Sequence, residues 1–382
     1  MLKPPASCLF APRRTPSIKF LRTSTLVFPE PIPIPNINFL AKTHSNMSTQ
    51  YANMQPSGFS NRVRNIAIVG AGGSVGSYVA RALLGTSQHV VTALSRKDSK
   101  NKLPAGVIVK HVDYDEPSTL VTALQGQDVL IITMNVMAPP DTQRKLIAAA
   151  AEASVPWVLP NEWGADPSQT ALIRDAFPHN TYAATRDYID ELGASSWIGM
   201  ICSFWYEFSL AGSPSRYGFD FKERTVTFFD DGETKINTST WEQCGRAVAA
   251  LLSLKVLPDD ENDKSPSISR FRNDFVYLSS FNVSQKDMFA SVLRVTGAKE
   301  SDWTVKHQSS KERYDEGVSM FKAGNRLGFA QLMYTRVFYP SDEGNYEKRG
   351  LLTNELLGLP EEKFDEATKR AVDIAHGEGT AY

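Results

Sequence analysis

From residue 64 onward, short apolar runs alternate with stretches in which apolar residues recur every three or four positions. The runs at 66–69, 89–94, 107–112, 128–134, 155–159 and 196–203 predict strands of a buried parallel sheet. Between them, 117–124, 142–153 and 182–192 predict helices, the last closed by Gly193 at its C-terminus. The alternation has βαβ spacing, and right-handed crossovers then make a doubly wound parallel sheet, a Rossmann-like α/β fold. After about residue 205 the rhythm changes. A strand at 225–229 ends in the turn Asp230-Asp231-Gly232, and another strand is predicted at 275–280. Helical spacing covers 241–254, 285–297, 311–322, 327–338 and 364–376, while 259–269 is polar and reads as surface loop. The domain expectation is therefore an N-terminal extension at 1–60, a nucleotide-binding domain at 61–205 and a smaller, mainly helical substrate lid at 206–382. Some strands and helices of the lid are expected to return to the Rossmann sheet.

The stretch that gives this pattern a chemistry is Gly70-Ala-Gly-Gly-Ser-Val-Gly76. A strand precedes it, and Val75, Val79, Ala82 and Leu83 follow at helical spacing, so a helix begins inside it. Gly70 suits a tight turn, Gly72 or Gly73 lets backbone approach a pyrophosphate, and Gly76 allows close helix–strand packing. Ser74 and Val75 complete the helix start, whose N–H groups and dipole favour an anion. About 20 residues on, where an NAD site carries an acid, the chain reads Ser95-Arg96-Lys97. The guanidinium of Arg96 can fork onto a 2′-phosphate and Lys97 adds a charge, so NADP(H) is the expected cofactor. Asp113, closing the third strand, reads equally as an acceptor for the adenine amino group or as a turn and cap residue. Asn135, opening the loop 135–140, is expected beside the nicotinamide ribose. Asn161 reads as a ribose or substrate contact or, equally, as a turn residue.

Composition narrows the partners. The 41 Lys and Arg balance 42 Asp and Glu, for a net charge of −1, which gives no reason to expect nucleic acid or an acidic membrane. Cys8, Cys202 and Cys244 are widely spaced and form no metal-ligand pattern with the six histidines. No metal site is expected, and the cysteines read as free thiols of a cytoplasmic protein. No apolar run approaches the length of a membrane span. Up to Asn46, six Lys or Arg face a single acid, Glu30, and prolines cluster at 29, 31, 33 and 35. Such a start resembles a mitochondrial transit peptide, or equally a disordered leader or an upstream start whose real initiator is Met47.

These residues together resemble the NmrA-like and isoflavone-reductase-like branch of the atypical short-chain dehydrogenases. The resemblance rests on Gly70, Gly73 and Gly76, on Arg96, the Asp113 segment, Gln143 before an Ala-rich helix, Pro160-Asn-Glu-Trp-Gly and Leu357-Gly-Leu-Pro. It covers about 64–382 and is strongest over the first 140 of those residues. It implies either an NADPH-dependent reductase of a small aromatic, phenylpropanoid-like metabolite, or a regulator that binds NADP without turning it over and acts on a protein partner. Asn161 and Trp163 depart from the family's usual Pro-Ser-Glu-Phe-Gly. Where the reductases carry a catalytic Lys, this chain has Tyr182. Arg186 lies four residues on, on the same helix face, which imitates the Tyr-x-x-x-Lys pair of ordinary short-chain dehydrogenases. The spacing predicts that Tyr182 donates a proton and Arg186 lends the charge that eases it. The aromatic run 204–208 suits a flat apolar pocket or a core.

Overall fold

The structure, a computed structural model, describes residues 50–135, 138–139, 141–177 and 180–378. The expectations for 1–46, for Cys8 and for part of the loop 135–140 lie outside the described residues. The chain from Thr49 on forms one compact unit.

Its first half follows the βαβ rhythm: β1 (Asn65–Val69), α1 (Ser74–Gly85), β2 (Val90–Ser95), β3 (Ile108–His111), α2 (Pro117–Leu124), β4 (Val129–Ile132), α3 (Thr142–Glu152) and β5 (Trp157–Leu159). Then come α4 (Thr170–Ala176), α5 (Tyr182–Leu192), β6 (Ser196–Ile201), β7 (Phe204–Trp205) and α6 (Tyr206–Leu210). The helix α4 carries too short an apolar pattern to be read from sequence. The predicted strand at 196–203 breaks after Ile201, and Ser203 adopts a left-handed φ of 55° between β6 and β7. Strands β1 to β6 lie in one parallel sheet, in the order β6-β5-β4-β1-β2-β3. The order reverses between β1 and β4, which opens a crevice at the carboxyl ends of those strands.

The second half adds β8 (Phe219–Asp220), β9 (Thr225–Phe229), β10 (Ile236–Ser239), α7 (Trp241–Ser253), β11 (Asp274–Tyr277), β12 (Phe281–Val283) and α8 (Gln285–Thr296). It ends with β13 (Thr304–Gln308), α9 (Ser310–Lys322), α10 (Arg326–Val337) and α11 (Phe364–Ala375). Strand β11 pairs in parallel with β6 and becomes the seventh strand of the main sheet, while α7 packs on α1. Two three-stranded sheets, β12-β10-β7 and β13-β9-β8, belong to this half. Of their strands, β9 matches the strand expected at 225–229, while the others, two to five residues long, are too short to show a period.

Strand β1 explains how the sheet holds both layers. Ile66 and Ile68 point into a core shared with Val79 and Leu83 of α1 and Val248 and Leu251 of α7. Ala67 and Val69 point into the opposite core, with Leu120, Leu124, Leu146 and Ile189. Period-2 alternation in which both faces are apolar is what a doubly covered strand requires. A third core, rich in aromatic rings, gathers Tyr206, Tyr217, Phe219, Phe228, Phe289 and Trp303. Among the described residues, no helix is long and apolar enough to cross a membrane.

Candidate functional site

The glycine segment turns between β1 and α1. Gly70 has φ +84°, and a Cβ there would lie 2.1 Å from the Thr133 carbonyl oxygen. A Cβ on Gly76 would lie 2.2 Å from the Gly70 oxygen and 2.6 Å from Thr133 Oγ1. Only hydrogen fits at either position, so the turn closes against the end of β4. Thr133 completes it by donating from Oγ1 to the Val69 oxygen at 2.8 Å. Gly73 is the N-cap residue just before α1, and no side chain caps the helix or places an acid in its first turn. The N–H groups of Ser74, Val75 and Gly76 therefore open a 12-residue helix with nothing negative beside them.

The segment after β2 folds over this turn. A Cβ on Gly72 would meet Asn101 Cβ at 2.8 Å and the Lys102 oxygen at 3.2 Å, so Gly72 faces that segment. Arg96 and Lys97 are exposed there, with Arg96 Nε 3.6 Å from Asp98. The charge of Arg96 is also felt at the Tyr114 hydroxyl, which burial pushes up. Sequence reasoning named Arg96 and Lys97 but not the approach of Asn101 and Lys102, which no spacing encodes. Asp113 makes a turn: its Oδ1 accepts from the Asp115 amide at 2.9 Å, and the Asp113 amide donates to Thr119 Oγ1 at 3.0 Å.

Beyond β4 and β5 the site is held by side chains that grip backbone. Asn161 Oδ1 accepts from the Met134 amide (3.0 Å) and its Nδ2 donates to the Met134 oxygen (3.2 Å). The Asn161 amide donates to Gln143 Oε1 (2.7 Å), and Gln143 Nε2 donates to Thr185 Oγ1 (3.2 Å). Both ends of the Asn161 amide are thus engaged in fixing the segment that leads to Asn135. Asn135 is exposed, and its carbonyl accepts from the Ala138 amide at 2.9 Å. Trp163, the other departure in this block, donates from Nε1 to the Ile132 oxygen at 2.9 Å.

Tyr182 opens α5 and Arg186 follows one turn later. The spacing predicts that Arg186 lends its charge to Tyr182, but in the structure that charge goes elsewhere. Arg186 Nη1 donates to Glu162 Oε1, and the guanidinium lies 5.3 Å from the Trp197 ring and 5.2 Å from the Phe275 ring. Glu162 is 1% exposed. Burial pushes its carboxyl up and the bond to Arg186 opposes this. Tyr182 is pushed up to about 12, first by burial and then by the charges of Glu162 and Cys202. The tyrosine therefore remains a neutral phenol across the physiological range. The correction has a simple cause: α5 packs against β6 and brings Arg186 to Glu162, and a buried carboxylate outcompetes a phenol for its charge.

The aromatic run is mostly core. Tyr206 is fully buried and shares a hydrogen bond with Thr368 at 2.7 Å, and Phe204 stacks on Tyr334 at 4.3 Å. Trp205 and Phe208 pack edge to face at 6.3 Å and remain partly exposed. Among the described residues, no group of three or more His, Cys, Asp or Glu could hold a metal ion.

Comparison with known proteins assigns this architecture. Residues 63–211 match the NmrA-like family. The matched segment runs from the start of β1 through the glycine turn, Arg96, Asn161 and Tyr182 to the end of α6. The chain is 26% identical over 307 residues to the oxidoreductase aprR of Aspergillus flavus, covering 79% of this chain and 96% of that protein. Over 122 residues it is 34% identical to the phenylcoumaran benzylic ether reductase TP7 of Nicotiana tabacum, covering 29% of this chain and 39% of the reductase. Among solved structures, the fold is similar to AtPrR2 with NADP+ and (+)pinoresinol. That match has a TM-score of 0.63 and 18% identity, over 81% of this chain and 99% of the other.

Proposed function

We propose that the protein is an NADP(H)-dependent oxidoreductase that reduces a small aromatic, phenylpropanoid-like metabolite. The observation that carries this reading is the glycine cradle closed on Thr133 at an uncapped helix start. Its glycine backbone and free first-turn N–H groups suit a pyrophosphate, and no acid stands in the first turn of α1 to repel one. Arg96 and Lys97 would hold the 2′-phosphate, Ser74 to Gly76 the pyrophosphate, and the Asn135 segment, fixed by Asn161, the nicotinamide end. NADPH, when bound, supplies the hydride. Tyr182, a neutral phenol at the same sheet edge, is the proton donor of this reading. The oxidoreductase aprR and the phenylcoumaran benzylic ether reductase support the class of reaction.

One observation favours a second reading, a non-catalytic NADP sensor. The position of the reductases' Lys is a Tyr whose proton is held more tightly than usual. Steady-state NADPH oxidation against a panel of aromatic ketones, enones and benzylic ethers separates the two. Turnover is expected, and Tyr182→Phe should lower it by about 10²–10⁴-fold with NADPH affinity unchanged. Binding without any turnover would favour the sensor. Arg96→Ala should weaken NADPH binding about ten- to a hundred-fold and leave NADH nearly unaffected. Equal losses for both cofactors in titration calorimetry would remove Arg96 from the site.

A further inference from the structure

Ser203 stands where β6 gives way to β7, at the carboxyl end of the sheet. Seven non-glycine residues among those described have a left-handed φ, and Ser203, at 55°, is the buried one; the other six are exposed or half-buried. Such a conformation costs an L-residue energy and persists only where the surroundings fix the backbone. They do so here. The Ser203 amide donates to the Gly164 oxygen at 3.0 Å, and Thr238 Oγ1 donates to the oxygen of the next residue, Phe204, at 2.6 Å. Glycine suits this φ and asparagine visits it more readily than serine, so the backbone alone gives no reason for a hydroxyl. Nor does packing use it. Ser203 is 8% exposed, yet its Oγ makes no hydrogen bond among the described residues. The oxygen is not sealed in: unlike the second oxygen of Glu207, it keeps some surface open to solvent. A buried hydroxyl with an opening and no protein partner calls for a partner from outside. Its place fits one. β6 is the neighbour of β5, and the block 160–164 joins Ser203 to the rest of the site. In that block Gly164 takes the Ser203 amide, Glu162 takes Arg186 and Asn161 fixes Met134.

We infer that the Ser203 hydroxyl binds substrate, donating a hydrogen bond to a carbonyl or ether oxygen carried by an aromatic compound. Trp205 and Phe208, partly exposed two and five residues further on, supply ring surface for such a compound. A site built to donate to an oxygen rejects an analogue that lacks it, because the hydroxyl is then left unpaired. The role deepens the reductase reading and rests on it for the class of ligand.

The test is titration calorimetry on the full chain loaded with NADP+, with cinnamaldehyde as the probe and its hydrocarbon analogue β-methylstyrene as the control. Ser203→Gly removes the hydroxyl and relieves the left-handed φ, so it folds at least as well as the wild type. Ser203→Ala removes the hydroxyl and keeps the strain. Both are expected to weaken cinnamaldehyde binding about ten-fold, the worth of one neutral hydrogen bond, and to leave β-methylstyrene unchanged. Unchanged affinity for cinnamaldehyde in Ser203→Gly, equal losses for both compounds, or no binding of cinnamaldehyde by the wild type would overturn the proposal. Oxidation of NADPH by cinnamaldehyde is followed in parallel. Oxygen-specific binding that depends on Ser203, without turnover, keeps the Ser203 contact and counts against the reductase reading. Turnover with binding indifferent to Ser203 keeps the reductase and removes Ser203 from its site.

Discussion

Glu207 shows how one residue can make stability depend on pH. It is 3% exposed, it accepts from Arg370 Nη2 at 3.0 Å, and its second oxygen has no partner among the described residues. Burial pushes its carboxyl up to about 7; its own backbone and Arg370 pull the other way, and Glu242 adds to the rise. An unfolded glutamate titrates at about 4.3. Between those values the native chain holds a proton that the unfolded chain has released. Stability contributed by this group is therefore full below about 4.3 and is lost as pH rises through about 7. Glu207→Gln keeps a neutral side chain at every pH. Urea unfolding should show the wild type losing on the order of 2–4 kcal/mol relative to that variant between pH 4.5 and pH 8. Parallel pH profiles for the two proteins would mean that Glu207 is charged when folded. Asn161 makes the complementary point. Its residue type suited a ligand contact, a cap or a turn alike, and the Met134 backbone is what occupies it.

At the scale of elements, the junction of β1, α1 and β4 does the most with the fewest atoms. Gly76 sits in the first turn of α1 against the Gly70 oxygen and Thr133 Oγ1, so any side chain there must push α1 away from the sheet. Gly76→Ala should destabilise the fold by about 1–3 kcal/mol, the usual cost of forcing a methyl into a packed contact. It should weaken NADPH binding more than thermal stability alone explains, because the displaced groups are the N–H donors of α1. A variant that binds NADPH like the wild type would show that α1 tolerates the shift. The neighbouring α7 stabilises this junction from outside, packing its own Gly245 against Tyr78 of α1, where a Cβ would lie 2.6 Å from the Tyr78 oxygen.

Across the molecule, Asp166 ties the carboxyl edge of the sheet to the segment before the last helix. It is 1% exposed, and its Oδ2 accepts from Arg349 Nη2 at 2.6 Å and from Ser168 Oγ at 2.8 Å. Its Oδ1 accepts from the Tyr277 hydroxyl at 3.0 Å and the Ser168 amide at 2.9 Å. Arg349→Met leaves a buried carboxylate without its cation, whereas Asp166→Asn with Arg349→Met leaves neither charge. The single change should cost about 1–3 kcal/mol, and the double change should recover part of it. Chemical denaturation of the four proteins of that cycle measures the coupling, and additive losses would show that the pair is not coupled.

The sheet, its order of strands and helices and the glycine turn were legible in the chain itself, because burial of both faces of a strand and one face of a helix imposes periods that local sequence must carry. Gly70 and Gly76 could be read for the same reason: no other residue fits a turn closed so tightly on β4. The strands β8, β10, β12 and β13, the approach of Asn101 to Gly72 and the engagement of Asn161 with Met134 depend on residues distant in sequence, and no local period records them. The same limit reversed the reading of Arg186. A spacing of four places Tyr182 and Arg186 on one helix face, but it says nothing of what faces them. Only the tertiary packing of α5, against β6, puts a buried Glu162 there, and opposite charges in a desolvated site attract more strongly than a cation and a neutral phenol.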